Sequence, residues 1–270
     1  MATSFLREDI AALWAHKDPL VEAQALRGEV YRAVARRRTM RVELASRHFF
    51  VKVHYGVGWP EIFKNWLTLK RPVVGARNEF EACRHLERMN ITAPKVAAYG
   101  ESADGAASRF SFVLCDALEG YEDLEIKTNR WFDVAPTPLE VRHLVMAVAS
   151  FARRFHEAGV VHRDFYLCHL LAKLDDATAP LGVLDLHRAV IFPQLPTKWR
   201  LRDLAALLYS SLDLPISRRA WLRFVRVYTG KPLRQTFAED GEFWRAVYRR
   251  ACVLYEKGRR KGLVRGRFQR

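Results

Sequence analysis

Phe155-His-Glu-Ala-Gly-Val-Val-His-Arg-Asp164, continuing through Phe165-Tyr-Leu-Cys-His169, is the stretch on which the reading of this chain turns. Ahead of it, Leu144, Val148, Phe151 and Phe155 recur at helical spacing. That helix opens at Thr137-Pro138-Leu139-Glu140, with threonine as N-cap, proline at N1 and glutamate at N3. Gly159 ends it, because a residue without Cβ takes the left-handed turn at least strain. His162-Arg163-Asp164 therefore falls in a loop before a short apolar run over 170–174. A second run over 181–186 contains Gly182-Val-Leu-Asp185, a strand that ends in a carboxylate 21 positions beyond Asp164.

Working outward, the first third of the chain reads as strands over 30–34, 41–44 and 49–53, rich in β-branched and aromatic residues. The period then changes. Trp59, Ile62, Phe63, Trp66 and Leu67 form one helical stripe over 59–70, and a second helix is expected over 76–89. Strands over 95–100 and 110–114 follow, joined by the turn Ala103-Asp104-Gly105. Beyond Leu118 helices dominate, over 201–212, 217–228 and 243–255, and the basic tail 257–270 is expected to fray. The expectation is an α+β chain in two lobes, a β-rich lobe over 1–118 and a helical lobe over 119–270, with no internal repeat.

In the template for phosphoryl transfer, an Asp in a His-Arg-Asp loop accepts the proton of the acceptor hydroxyl, and the residue five places on holds a metal. Asp164 and His169 occupy those places. Asp185 stands where the template puts its Mg²⁺-binding aspartate. Phe49-Phe-Val-Lys52 is a strand with one lysine in an apolar alternation, and Glu79, on the helix expected over 76–89, is where its ion-pair partner belongs. A lysine so oriented holds the α- and β-phosphates of ATP. The ordered set is far more specific than any of its members. Singly, Lys52 reads as an edge-strand lysine, Glu79 as one helix charge among many, and Asp185 equally as a turn residue. Asp203 reads either as a helix cap or as a buried carboxylate holding the His-Arg-Asp loop, and His162 as its structural brace. A zinc cluster of His162, Asp164, His169, Asp185 and His187 lacks any recognised ligand spacing.

The 270 residues include 45 Lys plus Arg against 30 Asp plus Glu, a net charge of +15. Such a surface attracts polyanions, among them nucleic acid, anionic lipid and phosphorylated sugars. Four cysteines without a C-x-x-C pair argue against a zinc ribbon or a disulfide-stapled fold, and fit a reducing compartment. The first fourteen residues carry Arg7, Glu8 and Asp9 where a signal peptide needs an apolar run. The longest stretch free of charged residues, 143–152, is ten residues, too short to cross a bilayer. A cytoplasmic chain is expected.

The chain resembles the protein-kinase-like fold, and more narrowly the lipopolysaccharide core heptose(I) kinases of Gram-negative bacteria. The segments that carry the resemblance are Leu13-Trp14…Lys17-Asp18-Pro19, Phe50-Val-Lys52-Val-His54, Pro72-Val-Val-Gly-Ala76, His162-Arg-Asp164…Tyr166-Leu-Cys-His169, Asp185-Leu-His-Arg-Ala189 and Trp199-Arg200…Asp203-Leu204. It runs from about Phe5 into the helix near Tyr255. The resemblance implies ATP- and Mg²⁺-dependent phosphorylation of O4 of the first heptose of the inner core. In that reading Asp164 is the catalytic base, Lys52 and Glu79 position the nucleotide, and Asp185 and His169 serve the metal or phosphate.

Departures from the general kinase pattern bear on this. No G-x-G-x-x-G is present; the first hairpin reads Ala35-Arg-Arg-Arg38-Thr39, either an arginine substitute for glycine amides over the phosphates or a solvated basic turn. Imidazole at His169 is a poorer Mg²⁺ ligand than the usual asparagine amide oxygen. Seventeen residues separate Asp185 from Asp203, with no Ala-Pro-Glu, a short segment suited to a small or lipid-linked acceptor rather than a protein. The positive charge fits a glycolipid acceptor on an anionic leaflet, with the chain peripheral to the cytoplasmic face of the inner membrane and Trp59, Phe63 and Trp66 either docking there or packing on the first lobe. The same charge would attract an acidic protein such as an acyl carrier protein; nucleic acid is not expected as a partner. The alternatives are a kinase for Kdo or the second heptose, or a basic pseudokinase or binding module without catalysis.

Overall fold

Side chains alternate along residues 47–55, and this alternation sets which face of the first sheet is buried. The computed structural model describes residues 3–34, 36–56, 75–104, 109–266 and 268. The helix expected over 59–70, with Trp59, Phe63 and Trp66, lies outside the described residues, as does Gly105 of the expected turn. The chain divides into two units, Met1–Glu119 with Asp185–Arg188, and Gly120–Leu184 with Ala189–Arg270.

The first unit is built on a six-stranded antiparallel sheet: β1 (Thr3–Leu6), β2 (Glu29–Val34), β3 (Arg37–Leu44), β4 (Arg47–Tyr55), β5 (Val96–Glu101) and β6 (Phe110–Asp116), in the order β1-β5-β6-β4-β3-β2. Phe49, Val51 and Val53 of β4 project to one face, where Met40, Val42, Phe112 and Leu114 join them. Two short helices missing from the sequence reading, α1 (Glu8–Leu13) and α2 (Pro19–Ala25), cap that face with Ile10, Trp14 and Ala23. Asp18 caps α2 by accepting the Leu20 N–H, and Pro19 takes N1. Each fully buried apolar side chain here contributes about 1.5–3 kcal/mol, which is what fixes the register of β4. The helix α3 (Arg77–Arg88) belongs to the same unit and lies against β5, β6 and the 3₁₀ turn Leu186–Arg188.

The first hairpin is tighter than expected. Arg37 and Arg38 belong to β3, paired with Val34 and Ala33, so of the arginine run only Arg36 lies outside the strands. The reason is register: β3 begins at Arg37, four residues before the strand expected over 41–44, and the antiparallel ladder continues with it.

The second unit is mostly helical. A three-stranded sheet, β7 (Tyr121–Asp123), β9 (Leu170–Lys173) and β10 (Gly182–Val183), and a two-stranded one, β8 (Val160–Val161) with β11 (Val190–Ile191), carry the loops. Its helices are α4 (Leu124–Asn129), α5 (Pro138–Glu157), α6 (Thr197–Ser211), α7 (Arg218–Thr229) and α8 (Leu233–Arg260), the last kinked at Asp240. The Thr137 capping box forms, with the Glu140 N–H donating to Thr137 Oγ1 and the Thr137 N–H to Glu140 Oε2. Gly159 turns the chain out of α5 with φ of 75°; a Cβ there would lie 2.2 Å from the Phe192 carbonyl oxygen.

Two expectations are corrected. α6 begins at Thr197 behind Pro196, so Asp203 lies within the helix, not at its start. The basic tail does not fray at 257: the helix runs to Arg260, and Asp213 then accepts the Arg265 N–H at 2.7 Å and the Phe268 N–H at 3.1 Å. The Phe268 ring meets Tyr255 edge-on, and the Arg265 guanidinium lies 4.1 Å over Phe132.

Candidate active site

On β4, Lys52 and His54 point away from the face that carries Phe49, Val51 and Val53. Glu79 stands in the first turn of α3, and that turn is pinned at several points. The Ala76 N–H donates to the Ser111 hydroxyl at 3.1 Å, and Arg77 pairs with Glu101 at 2.6 Å. Tyr99 donates to the other Glu101 oxygen at 2.6 Å and stacks on Phe80 at 4.2 Å. A Cβ at Gly75 would lie 2.5 Å from Ser111 Oγ, so the close approach of chain to strand requires glycine.

The Lys52 ammonium lies 2.7 Å from Glu79 Oε1 and 2.7 Å from Asp185 Oδ1. His187 Nδ1 donates to the same Asp185 oxygen at 2.8 Å. Burial alone would lower the Lys52 pKa, but the two carboxylates outweigh it and raise it above the usual lysine range. Burial likewise works against ionised Asp185, and the hydrogen bond from His187 with the charge of Lys52 still holds it well below the usual carboxylate range. His54 is buried nearby and pushed down to about 3, by desolvation first and then by Arg37, Lys52 and His187. Asp185 takes a left-handed φ of 58°, uncommon for a residue with a Cβ and a mark of backbone held by its surroundings.

No group of three His, Cys, Asp or Glu side chains is assembled to hold a metal among the described residues. Mg²⁺ makes a different demand, one or two carboxylates completed by water and phosphate oxygens, and ionised Asp185 fits it as a hard oxygen donor.

In the second unit the loop 162–164 is held from behind by a single carboxylate. Asp203, 1% exposed within α6, accepts the His162 N–H at 2.7 Å on Oδ2 and the Arg163 N–H at 2.9 Å on Oδ1. This bidentate clamp stabilises Arg163 at φ of 74°. His162 is fully buried and braces the loop in two directions: Nε2 donates to the Leu184 carbonyl at 2.8 Å, and Nδ1 accepts the Asp164 N–H at 3.3 Å. Burial pushes His162 down to about 4, so the ring is neutral at pH 7. The Asp164 carbonyl accepts the Tyr166 N–H at 2.9 Å and the His169 Nδ1–H at 2.7 Å. The His169 ring stacks on His162 with centroids 5.2 Å apart.

The structure therefore brings Lys52, Glu79 and Asp185 together in the first unit, and Asp164 and His169 together in the second. His187 was legible as part of the Asp-Leu-His-Arg-Ala run, but its hydrogen bond to Asp185 was not; the i, i+2 spacing in a 3₁₀ turn was its one signal. The anchors of α3, Ser111, Tyr99 and Glu101, had no sequence signal, since strand residues reveal no partner across a sheet.

Protein kinases position a nucleotide lysine by an acidic residue of a nearby helix and carry their base in a His-Arg-Asp loop. This chain has that fold, and it is a protein-kinase-like phosphotransferase. Residues 21–228 match the model of the Lipopolysaccharide kinase (Kdo/WaaP) family, and the chain belongs to that family. A protein of Pseudomonas aeruginosa named Lipopolysaccharide core heptose(I) kinase WaaP is 41% identical over 261 residues, covering 95% of this chain and 97% of its own. One of the same name from Escherichia coli K12 is 36% identical over 263 residues, covering 96% and 99%. A solved structure of WaaP in complex with acyl carrier protein superposes with a TM-score of 0.79 at 36% identity, covering 94% of this chain and 99% of its own. No helix among the described residues is long and apolar enough to cross a membrane.

Proposed function

We propose that this chain transfers the γ-phosphoryl group of ATP to O4 of the first heptose of the lipopolysaccharide inner core. The observation that carries the reading is the Lys52 ammonium held 2.7 Å from both Glu79 and Asp185. A lysine fixed in this way presents its charge to the α- and β-phosphates of ATP. Asp185 would hold Mg²⁺, which when bound neutralises charge on the β- and γ-phosphates. The first unit is thus read as the nucleotide-binding part, and the second as the part that binds the acceptor and carries the base.

Asp164 would accept the proton of the heptose hydroxyl as phosphorus–oxygen bond formation proceeds. The Asp203 clamp and the His162 brace hold its backbone, so little reorganisation is left for the reaction step. His169 would support the metal or phosphate through Nε2, since its Nδ1–H is given to Asp164. The acceptor assignment draws on the names of the relatives. An acyl carrier protein as partner draws on the structural neighbour, which was solved in complex with one. The net charge of +15 supports both, as well as peripheral contact with an anionic leaflet. The family description also names Kdo, which keeps that sugar as the second reading.

The test is transfer of labelled phosphate from ATP to purified, dephosphorylated core lipopolysaccharide, with the product mapped by NMR. Label on O4 of the first heptose is the expected result. Label on Kdo or the second heptose would move the acceptor, and no transfer with Mg²⁺ present would overturn the kinase reading in favour of a basic binding module.

A further inference from the structure

Within the second unit, residues of α5, α6, α7 and α8 surround a cavity of about 250 Å³. None of its lining residues is among those given roles above. Three of its lining side chains carry buried nitrogens that meet no hydrogen-bond partner among the described residues: Arg200 Nε and Trp244 Nε1, which can only donate, and His156 Nε2, whose role depends on the tautomer. Trp244 is 4% exposed. A buried donor without an acceptor is a standing penalty in any fold, and two of them lining one cavity call for an acceptor placed inside it.

The charges around the cavity say what kind. Arg153, Arg200 and Lys231 line it against Glu157 and Asp240. Arg153 gives its Nε–H to Glu157 at 2.7 Å, and Lys231 is paired with Glu239 at 2.6 Å. Arg200 makes no ion pair among the described residues; its guanidinium carbon lies 4.7 Å over the Phe243 ring. Water would satisfy the two donors, whereas an oxyanion satisfies them and also pairs with the Arg200 charge. The Tyr228 hydroxyl on the same wall is engaged with His156 Nδ1 at 2.8 Å, whereas His156 Nε2, 3.6 Å from Asp203, meets no hydrogen-bond partner among the described residues.

We propose that this cavity binds a phosphate-class oxyanion, whose oxygens accept from Arg200 Nε–H and Trp244 Nε1–H while Arg153 and Lys231 raise the local positive potential. A phosphate is matched by geometry as well as charge, because guanidinium and indole donors both lie in rigid planes.

Calorimetric titration of the full chain with inorganic phosphate tests this, at constant ionic strength and without nucleotide or Mg²⁺. One saturable site is expected, and it persists in Lys52→Met, which separates it from phosphate binding at the nucleotide lysine. Arg200→Gln should weaken it by about ten- to hundredfold, the loss expected for a charged hydrogen bond. Trp244→Phe keeps the aromatic packing and should weaken it by roughly two- to tenfold, which carries the test if Arg200→Gln does not fold. A hexose phosphate titrated in parallel distinguishes the source: tighter binding than inorganic phosphate assigns a phosphorylated sugar, equal binding a free anion, and both support the site. Absence of saturation up to tens of millimolar in the wild type, or unchanged affinity in both Arg200→Gln and Trp244→Phe, overturns it.

Discussion

Lys52 and Asp185 stand 133 positions apart in the sequence, yet the lysine ammonium and a carboxylate oxygen of the aspartate meet at 2.7 Å. Glu79 reaches the same ammonium from α3, so one cation holds two carboxylates in a partly dehydrated setting. Removing that cation leaves two negative groups facing each other at low dielectric. Lys52→Met should destabilise the fold by roughly 3–5 kcal/mol in urea unfolding, and Glu79→Gln added to it should recover part of the loss. Strict additivity of the two changes would show that the groups are not coupled. Phosphate transfer should fall by at least about a hundredfold in Lys52→Met.

Asp164 and Asp203 are separable by two measurements. Asp164→Asn keeps the side-chain size and removes the proposed proton acceptor, so turnover should fall by about 10²- to 10⁴-fold with nucleotide affinity and stability little changed. Asp203→Asn turns one acceptor of the clamp into a donor facing a backbone N–H, and should cost about 1–3 kcal/mol of stability as well as turnover. Equal stability loss in both variants would contradict the division between base and clamp.

Two of the buried histidines, His54 and His162, make stability depend on pH. His54 and His162 are held neutral, at about 3 and about 4, while in the unfolded chain they titrate near about 6.5. Between those values the unfolded state binds more protons, so stability is complete above the unfolded value and falls as pH drops toward the folded ones. The slope should approach roughly 1.4 kcal/mol per pH unit for each histidine. Urea midpoints at pH 7.5, 6 and 5 should decline accordingly, and His54→Phe should flatten the decline; a constant midpoint across that range would remove the argument.

Asp213 gathers the tail, accepting from the Tyr255 hydroxyl and from the Arg265 and Phe268 backbone N–H groups. Asp213→Ala should release the residues after Arg260, read as faster limited proteolysis there with little change in the unfolding midpoint of the rest. Identical cleavage rates in the variant and the wild type would show that the tail is held by other contacts.

Features that depend on neighbours in the chain were readable before the structure. The capping box at Thr137, the glycine exit at 159 and the strand that bears Lys52 each rest on local spacing and on intrinsic backbone preference. Edges were less exact for the same reason: the first hairpin has a shorter turn than the apolar pattern suggested, and α6 began at Thr197 because Pro196 sets its entry. The two helices that cap the first sheet were missed, since each is a short turn of chain whose helicity comes from packing Ile10, Trp14 and Ala23 on the sheet.

The amino-acid order alone determined which chemical groups this protein has to work with, a lysine, a glutamate, a His-Arg-Asp loop and a strand-end aspartate, and the α+β succession that carries them. Tertiary structure alone decided their partners: that Asp203 is a buried clamp and not a cap, that His187 shares an oxygen of Asp185 with Lys52, and that Arg200 and Trp244 line a cavity with donors to spare. Periodicity and capping are energies between residues a few positions apart, so they are written in the sequence. Ion pairs, burial and desolvation are energies between groups that only a completed fold makes neighbours.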